Sequence, residues 1–230
     1  MAITTSSLTR VSGLCAVAAG LIFIVVQIGH PPMDVSSVTS TEWKLRFTAK
    51  LLMCGLALAG ITGMWLCQAG RVGVLGLVGY VLLGGFYLLE AGIELLGGYV
   101  LPSLADISPA YVNDVLAAAT GGSASGDIGL LQPVFAVAGV CYIAGGLAFG
   151  IALFRARVLA RWAAALLAVS TVSTVALAAL PESFNRPFAV PMGIALVGLG
   201  LSLHRQSEAV VELASPAAQA EPVGHPTAVR

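Results

Sequence analysis

The apolar positions fall into six long runs separated by short polar breaks, and each run is long enough to be read as a membrane-spanning helix. The first runs over 11–29 and stops at Pro31-Pro32, which cannot continue a helix. Arg10 ahead of an apolar run suits a secretory leader, but no small-x-small cleavage site follows, so this segment reads as an uncleaved helix. A polar loop over 31–46 leads to the second run, 47–68, and Trp43 in that loop has the character of a membrane-interface anchor. A tight turn at Ala69-Gly70-Arg71 opens the third run, 72–101. The longest connection, 102–128, contains a segment beginning at Pro109 with the pattern of a short interfacial helix, then a flexible Gly/Ser stretch.

The remaining runs cover 129–154, 159–180 and 188–203, joined by the basic connector Arg155 to Arg161 and a polar turn over 181–187. From His204 onward hydrophobic periodicity disappears, and an Ala/Pro/Glu-rich segment reads as disordered. The pattern predicts an all-α, polytopic membrane protein. Its parts are a short N-terminal segment (1–10), a bundle of six transmembrane helices (11–203) and a disordered C-terminal tail (204–230).

Composition supports that class. Of 230 residues 58% are hydrophobic and 10% charged, against about 25% charged in a soluble domain. Mean hydropathy is +0.95. The formal net charge is zero and no basic block is present, which argues against nucleic acid as a partner and leaves the lipid bilayer as the environment. Cys15, Cys54, Cys67 and Cys141 all fall in apolar runs without a CxxC spacing, so they read as small buried hydrophobes. The 27 glycines suit close helix packing in lipid, within one chain or between copies of it.

Scarce charge inside the apolar runs is where polar chemistry would sit. Glu90 and Glu94 lie on the third run at a spacing that places both on one helix face. Measured from Val72 at 1.5 Å per residue, Glu90 comes roughly 27 Å along, just inside the far boundary of a hydrocarbon layer about 30 Å thick. Two readings follow. In the favoured one Glu90 pairs with Lys50 and Glu94 is interfacial; in the other the pair forms a proton, cation or ligand site.

Six crossings would bring the ends of the odd-numbered helices to the same side as the starts of the even-numbered ones. Gln27, Lys50, Glu90 and Gln132 then share one layer, with His30, Glu94, Glu182, Asn185 and Arg186 just outside it. Polar groups in lipid are costly, so this layer is expected to turn inward as a cup over a dry Gly/Ala-packed floor. Arg10, Arg71, Arg155, Arg157, Arg161 and Arg205 lie on the opposite side. The positive-inside rule places both termini in the cytoplasm of a cell-membrane protein, with the cup facing outward, although Lys44, Arg46 and Lys50 vote the other way.

Three functions would use such a cup. The leading one is binding, and transport, of a small molecule or ion, with Glu90, Glu94, Lys50, Gln27, Gln132 and His30 as candidate ligand- or ion-binding residues. The second is a non-catalytic accessory subunit assembling through glycine faces such as Gly146-Leu-Ala-Phe-Gly150. The third, a membrane hydrolase, would need His30 with Glu90, Glu94 or Asp34 around a metal. It is the weakest, since His30 is the sole histidine near the layer. Ser170, Thr171, Ser173 and Thr174 are expected to bond to their own helix backbone rather than act as nucleophiles. No catalytic residue, metal site or cofactor is assigned. Glycine, cysteine and phenylalanine coincide between Gly13–Phe23 and Gly139–Phe149, the relation an inverted duplication would leave, but helices of this composition match by chance often.

Several short motifs carry a resemblance. They are Arg10-Val-Ser-Gly-Leu14, His30-Pro31, Trp43, Glu90 followed by Leu101-Pro-Ser-Leu-Ala105, and Arg157-Val-Leu-Ala-Arg-Trp162. Together they resemble small multi-pass membrane proteins common in actinobacteria, labelled only as integral membrane or unknown-function proteins. The resemblance spans most of 10–203 and implies an architecture and no activity. Where such proteins often carry a histidine shortly after the tryptophan, this chain has Arg46, Phe47 and Thr48.

Overall fold

The computed structural model describes residues 5–179 and 185–214. Among them the regular structure is helical throughout: α1 (Thr5–Val25), α2 (Thr41–Leu66), α3 (Ala69–Leu95), a π turn (Leu96–Val100), α4 (Leu101–Leu104), α5 (Pro109–Ala119), α6 (Leu131–Ala156), α7 (Arg161–Ser173) continued by a 3-10 segment (Thr174–Ala179), and α8 (Asn185–Ala214). Five helices are long and apolar enough to cross a membrane: Thr5–Val25, Thr41–Leu66, the continuous Ala69–Leu104, Leu131–Ala156 and Pro187–Ser207. The apolar pattern predicts six. The difference is α7, a shorter apolar helix.

Local chemistry explains the boundaries. α2 starts before the apolar run because the Ser40 hydroxyl caps it, accepting from the Trp43 N–H at 3.1 Å, and Glu42 pairs with Arg46 one turn on at 2.7 Å. α3 proper begins beyond Gly73, whose φ of 60° lies in the left-handed region that an L side chain rarely adopts. α7 gives way to a 3-10 segment where hydroxyls reach back to carbonyls three residues earlier: Ser170 to Leu167 (3.1 Å), Ser173 to Ser170 (2.8 Å) and Thr174 to Thr171 (2.6 Å). The expected use of these hydroxyls on their own backbone is therefore what the fold contains. α8 runs on to Ala214, past the expected end at 203. The rest of the expected tail, 215–230, lies outside the described residues, as does most of the polar turn near Glu182.

The long helices pack as a closed ring. Each touches its neighbour in chain order, α1 on α2, α2 on α3, α3 on α6, α6 on α7 and α7 on α8, and α8 closes the ring against α1. Glycines make the closing seam. A Cβ on Gly13 would sit 2.8 Å from the Gly200 carbonyl oxygen, and one on Gly200 would sit 2.6 Å from that of Gly13. Gly20 and Gly193 repeat the arrangement seven residues along, the backbone-on-backbone approach that small residues allow in lipid. Gly146 and Gly150 are similarly occupied, packed on Thr171 and Ala168 of α7. The glycine face predicted to recruit another subunit is thus spent inside the chain.

The outer surface is apolar. On α3, Val74, Val81, Leu88 and Leu95 recur every seven residues and stand exposed, Val81 at 58% and Leu88 at 63%. The opposite face carries Leu83, Tyr87, Glu90 and Glu94, half a helical turn away. One end of the ring gathers the start of α1, the α6–α7 connection and the later part of α8, since the Ala160 N–H bonds to Ser202 Oγ at 2.9 Å and Gly13 meets the His204 backbone. At the other end a second, smaller core forms a cap. Val38, Trp43, Phe47, Leu101, Val112 and Leu116 come together there from the 31–40 loop, α2, α4 and α5. The helix expected at Pro109 is part of this cap.

Candidate functional site

Beneath the cap, inside the ring, is a cavity of about 440 Å³. That is the size of a pocket for a small organic ligand. Five of the six ring helices and the 3-10 continuation of α7 contribute to its wall: Phe23 from α1, Lys50 and Met53 from α2, Glu90 and Glu94 from α3, Phe135 and Tyr142 from α6, Thr174 after α7, and Phe188 from α8. Met33 and Ala119 belong to the cap side. The wall residues come from the ends of α1 and α3 and the starts of α2, α6 and α8. Of the expected layer, Lys50 and Glu90 line the cavity while Gln27 and Gln132 do not, and Glu94, expected just outside the layer, lines it too.

The electrostatic centre is Lys50 with Glu94. Lys50 Nζ lies 3.3 Å from Glu94 Oε1 and 4.5 Å from the centre of the Phe47 ring. The Glu94 side chain is only 4% exposed. This corrects the expected pairing: the carboxylate on Lys50 is Glu94, not Glu90, and Glu94 is buried rather than interfacial. Glu94 also shares a side-chain hydrogen bond with Glu90, so the two carboxyl groups are in contact. Glu90 is half-buried, lines the same cavity, and lies near enough to Lys50 and to Tyr142 to interact with both electrostatically. Among the described wall residues two carboxyl groups thus face one ammonium.

The cap sets this geometry. In the π turn Leu101 donates to the Leu96 carbonyl, five residues back, which widens the helix one turn beyond Glu94. Trp43 fills the space beside it: its indole Nε1–H donates to the Gly97 carbonyl at 2.9 Å, and its ring stacks on Phe47 with centroids 4.4 Å apart. Gly97 and Gly98 lie directly under Phe47, leaving no room for a side chain at either position. Trp43 is fully buried. Its expected role as an interface anchor is replaced by a core role, because the widened turn offers a buried acceptor that the indole satisfies.

Three sequence-predicted candidates meet at the site: Lys50, Glu90 and Glu94. The other three are not part of the cavity wall. Gln132 Nε2 reaches the Gly122 carbonyl at 3.4 Å. His30 Nδ1 lies 2.8 Å from the Pro31 carbonyl oxygen, and its ring meets Trp43 edge-on at 6.2 Å. Gln27 follows the end of α1 and is half-buried. Among the described residues no three His, Cys, Asp or Glu side chains come close enough to hold a metal ion.

What sequence reasoning missed is the aromatic wall. Phe86 and Tyr142 pack across α3 and α6 with centroids 4.8 Å apart, and Phe23, Phe47, Phe135 and Phe188 also line the cavity. A signal existed, since each falls near the boundary that holds Lys50 and Glu90. Aromatic residues in a membrane helix face lipid as often as protein, however, and periodicity alone does not separate the two. No protein-family model, curated protein or solved structure matches this chain.

Proposed function

We propose that this chain is a multi-pass protein of the cell membrane that binds a small molecule or ion in the cavity under its cap and carries it across the bilayer. The observation that supports this best is the cavity itself, with a wall shared among five ring helices and the continuation of the sixth, and two acids set against one lysine. A purely structural ion pair needs no such space. The proposal includes six crossings: α7 and its 3-10 continuation together extend roughly 32 Å at 1.5 and 2.0 Å per residue, comparable to the hydrocarbon thickness. An even number puts both termini on one side. The arginines at the basic end support a cytoplasmic location for them, so that the cavity opens outward.

Gly139 provides the test. It lines the cavity, and a Cβ there would meet nothing within 4 Å, so Gly139→Leu fills the space without displacing backbone. Compounds that raise the thermal stability of the purified wild type in detergent should fail to stabilise Gly139→Leu, and those compounds should accumulate in proteoliposomes. Glu90→Gln should abolish that uptake while leaving expression unchanged. If uptake survives both substitutions, the cavity is not the route; if no compound separates Gly139→Leu from wild type, the site is a structural seal and the protein an accessory subunit.

A further inference from the structure

The cavity wall also indicates what kind of molecule it takes, an inference that rests on the binding function proposed above. We infer that the ligand is an organic monocation: an amine or quaternary ammonium group carried on an apolar body, with the cationic end at Glu90 and Glu94 and the body among the aromatic rings.

Charge comes first. Lys50 is held by Glu94 at 3.3 Å and covered by the Phe47 ring, so its ammonium is already committed. Glu90 lines the same space and shares a side-chain hydrogen bond with Glu94, which is only 4% exposed, so two acids stand together against one lysine. Two buried carboxyl groups this close cannot both hold their charge cheaply unless a further cation balances them. An ammonium group supplies that cation and donates hydrogen bonds to the paired acids. An anion would meet two carboxyl groups and a lysine that is already paired.

The rest of the wall separates an organic cation from a metal ion. Phe86 and Tyr142 are packed against each other beside Glu90, and the electron-rich faces of such rings attract a positive group that has shed its water. An inorganic cation that sheds its water needs several oxygen ligands distributed around it. Here the wall is mostly hydrocarbon, with Met33, Met53 and Ile143 among its residues. Such a wall holds an apolar body well and a bare ion poorly.

A matched series on one carbon skeleton reads this directly: 4-phenylbutylamine, 4-phenylbutan-1-ol and 4-phenylbutanoate, titrated calorimetrically into the purified full-length protein in detergent. The amine should bind at least about tenfold more tightly than the alcohol, as one added charge-assisted hydrogen bond implies, and the acid should bind most weakly. Glu90→Gln should remove the amine's advantage over the alcohol, and Glu90→Asp, which keeps the charge, should retain much of it. Gly139→Leu should remove binding of both. Alcohol or acid binding as tightly as the amine, yet lost in Gly139→Leu, would overturn the charge assignment and leave the cavity's binding role standing. Amine binding unchanged in Gly139→Leu would overturn both. No binding by any of the three overturns the organic-cation assignment, while the compound screen against Gly139→Leu still decides the cavity's role.

Discussion

Lys50 reaches across from α2 to Glu94, 3.3 Å away, passing the nearer-seeming partner one turn earlier on the same face of α3. Removing one member of a buried pair leaves a charge with nothing to balance it, at a cost of about 3–5 kcal/mol. Lys50→Met should therefore lower thermal stability strongly, and Lys50→Met combined with Glu94→Gln should recover much of the loss. Glu90→Gln, which breaks no ion pair, should change stability by less than about 1 kcal/mol. A double-mutant cycle on detergent-solubilised protein checks all three, and additive losses for Lys50 and Glu94 would refute the pairing.

The Trp43 indole and the Gly97 carbonyl hold the cap to the π turn at 2.9 Å. Trp43→Phe keeps an aromatic ring on Phe47 but leaves that buried acceptor unsatisfied, a loss of about 1–3 kcal/mol. Amide exchange over residues 97–101 should accelerate more than exchange in α1 or α8. Uniform acceleration would mean that the contact does not stabilise the π turn locally.

Opposite signs are expected for two glycine-to-alanine changes. Gly20→Ala drives a methyl group into the Gly193 backbone and should destabilise by about 1–3 kcal/mol through overpacking. Gly55 is exposed, and a Cβ added there would meet nothing within 4 Å, so Gly55→Ala should stabilise by about 0.5–1 kcal/mol through helix propensity. Paired thermal unfolding curves test the contrast.

Outside the membrane-spanning helices, the Ser36 hydroxyl donates to Asp34 at 2.6 Å and the Ser37 N–H donates to the same oxygen at 3.1 Å. These bonds, the Ser36 hydroxyl foremost, hold the Asp34 carboxyl below its usual value of 3.8. Because the folded value is lowered, the contribution of this turn is complete above the unfolded value and fades as pH falls through the folded one. Ordering of the 34–37 turn, followed by NMR chemical shifts, should hold at neutral pH and fail only well into acid. Asp34→Asn should remove the pH dependence.

Much of the architecture was legible in the chain. The apolar runs located the helices because every backbone group in lipid must bond within its own segment. The inward turn of the glutamate face of α3 followed from the cost of charge in lipid, and the helix expected at Pro109 as interfacial is part of the buried cap. α7 was less legible: its apolar composition continues to 180, while the side-chain hydroxyls that tighten it act through local geometry that hydropathy does not register.

By itself the sequence determined the apolar helical character of the chain and set Glu90 and Glu94 on one face of one helix, because residues four apart share a helix face. The expected bundle put Lys50 and Glu90 at one boundary with Glu94 just beyond it. Only the tertiary structure decided which carboxylate takes the lysine, that Trp43 is buried, and that aromatic rings line a space beside the acids. The physical reason is rotational. Glu90 and Glu94 lie on the same face one turn apart, so the choice between them depends on how far each helix is turned and slid against its neighbour. That setting comes from the close glycine contacts and the Trp43–Gly97 bond between elements distant in sequence.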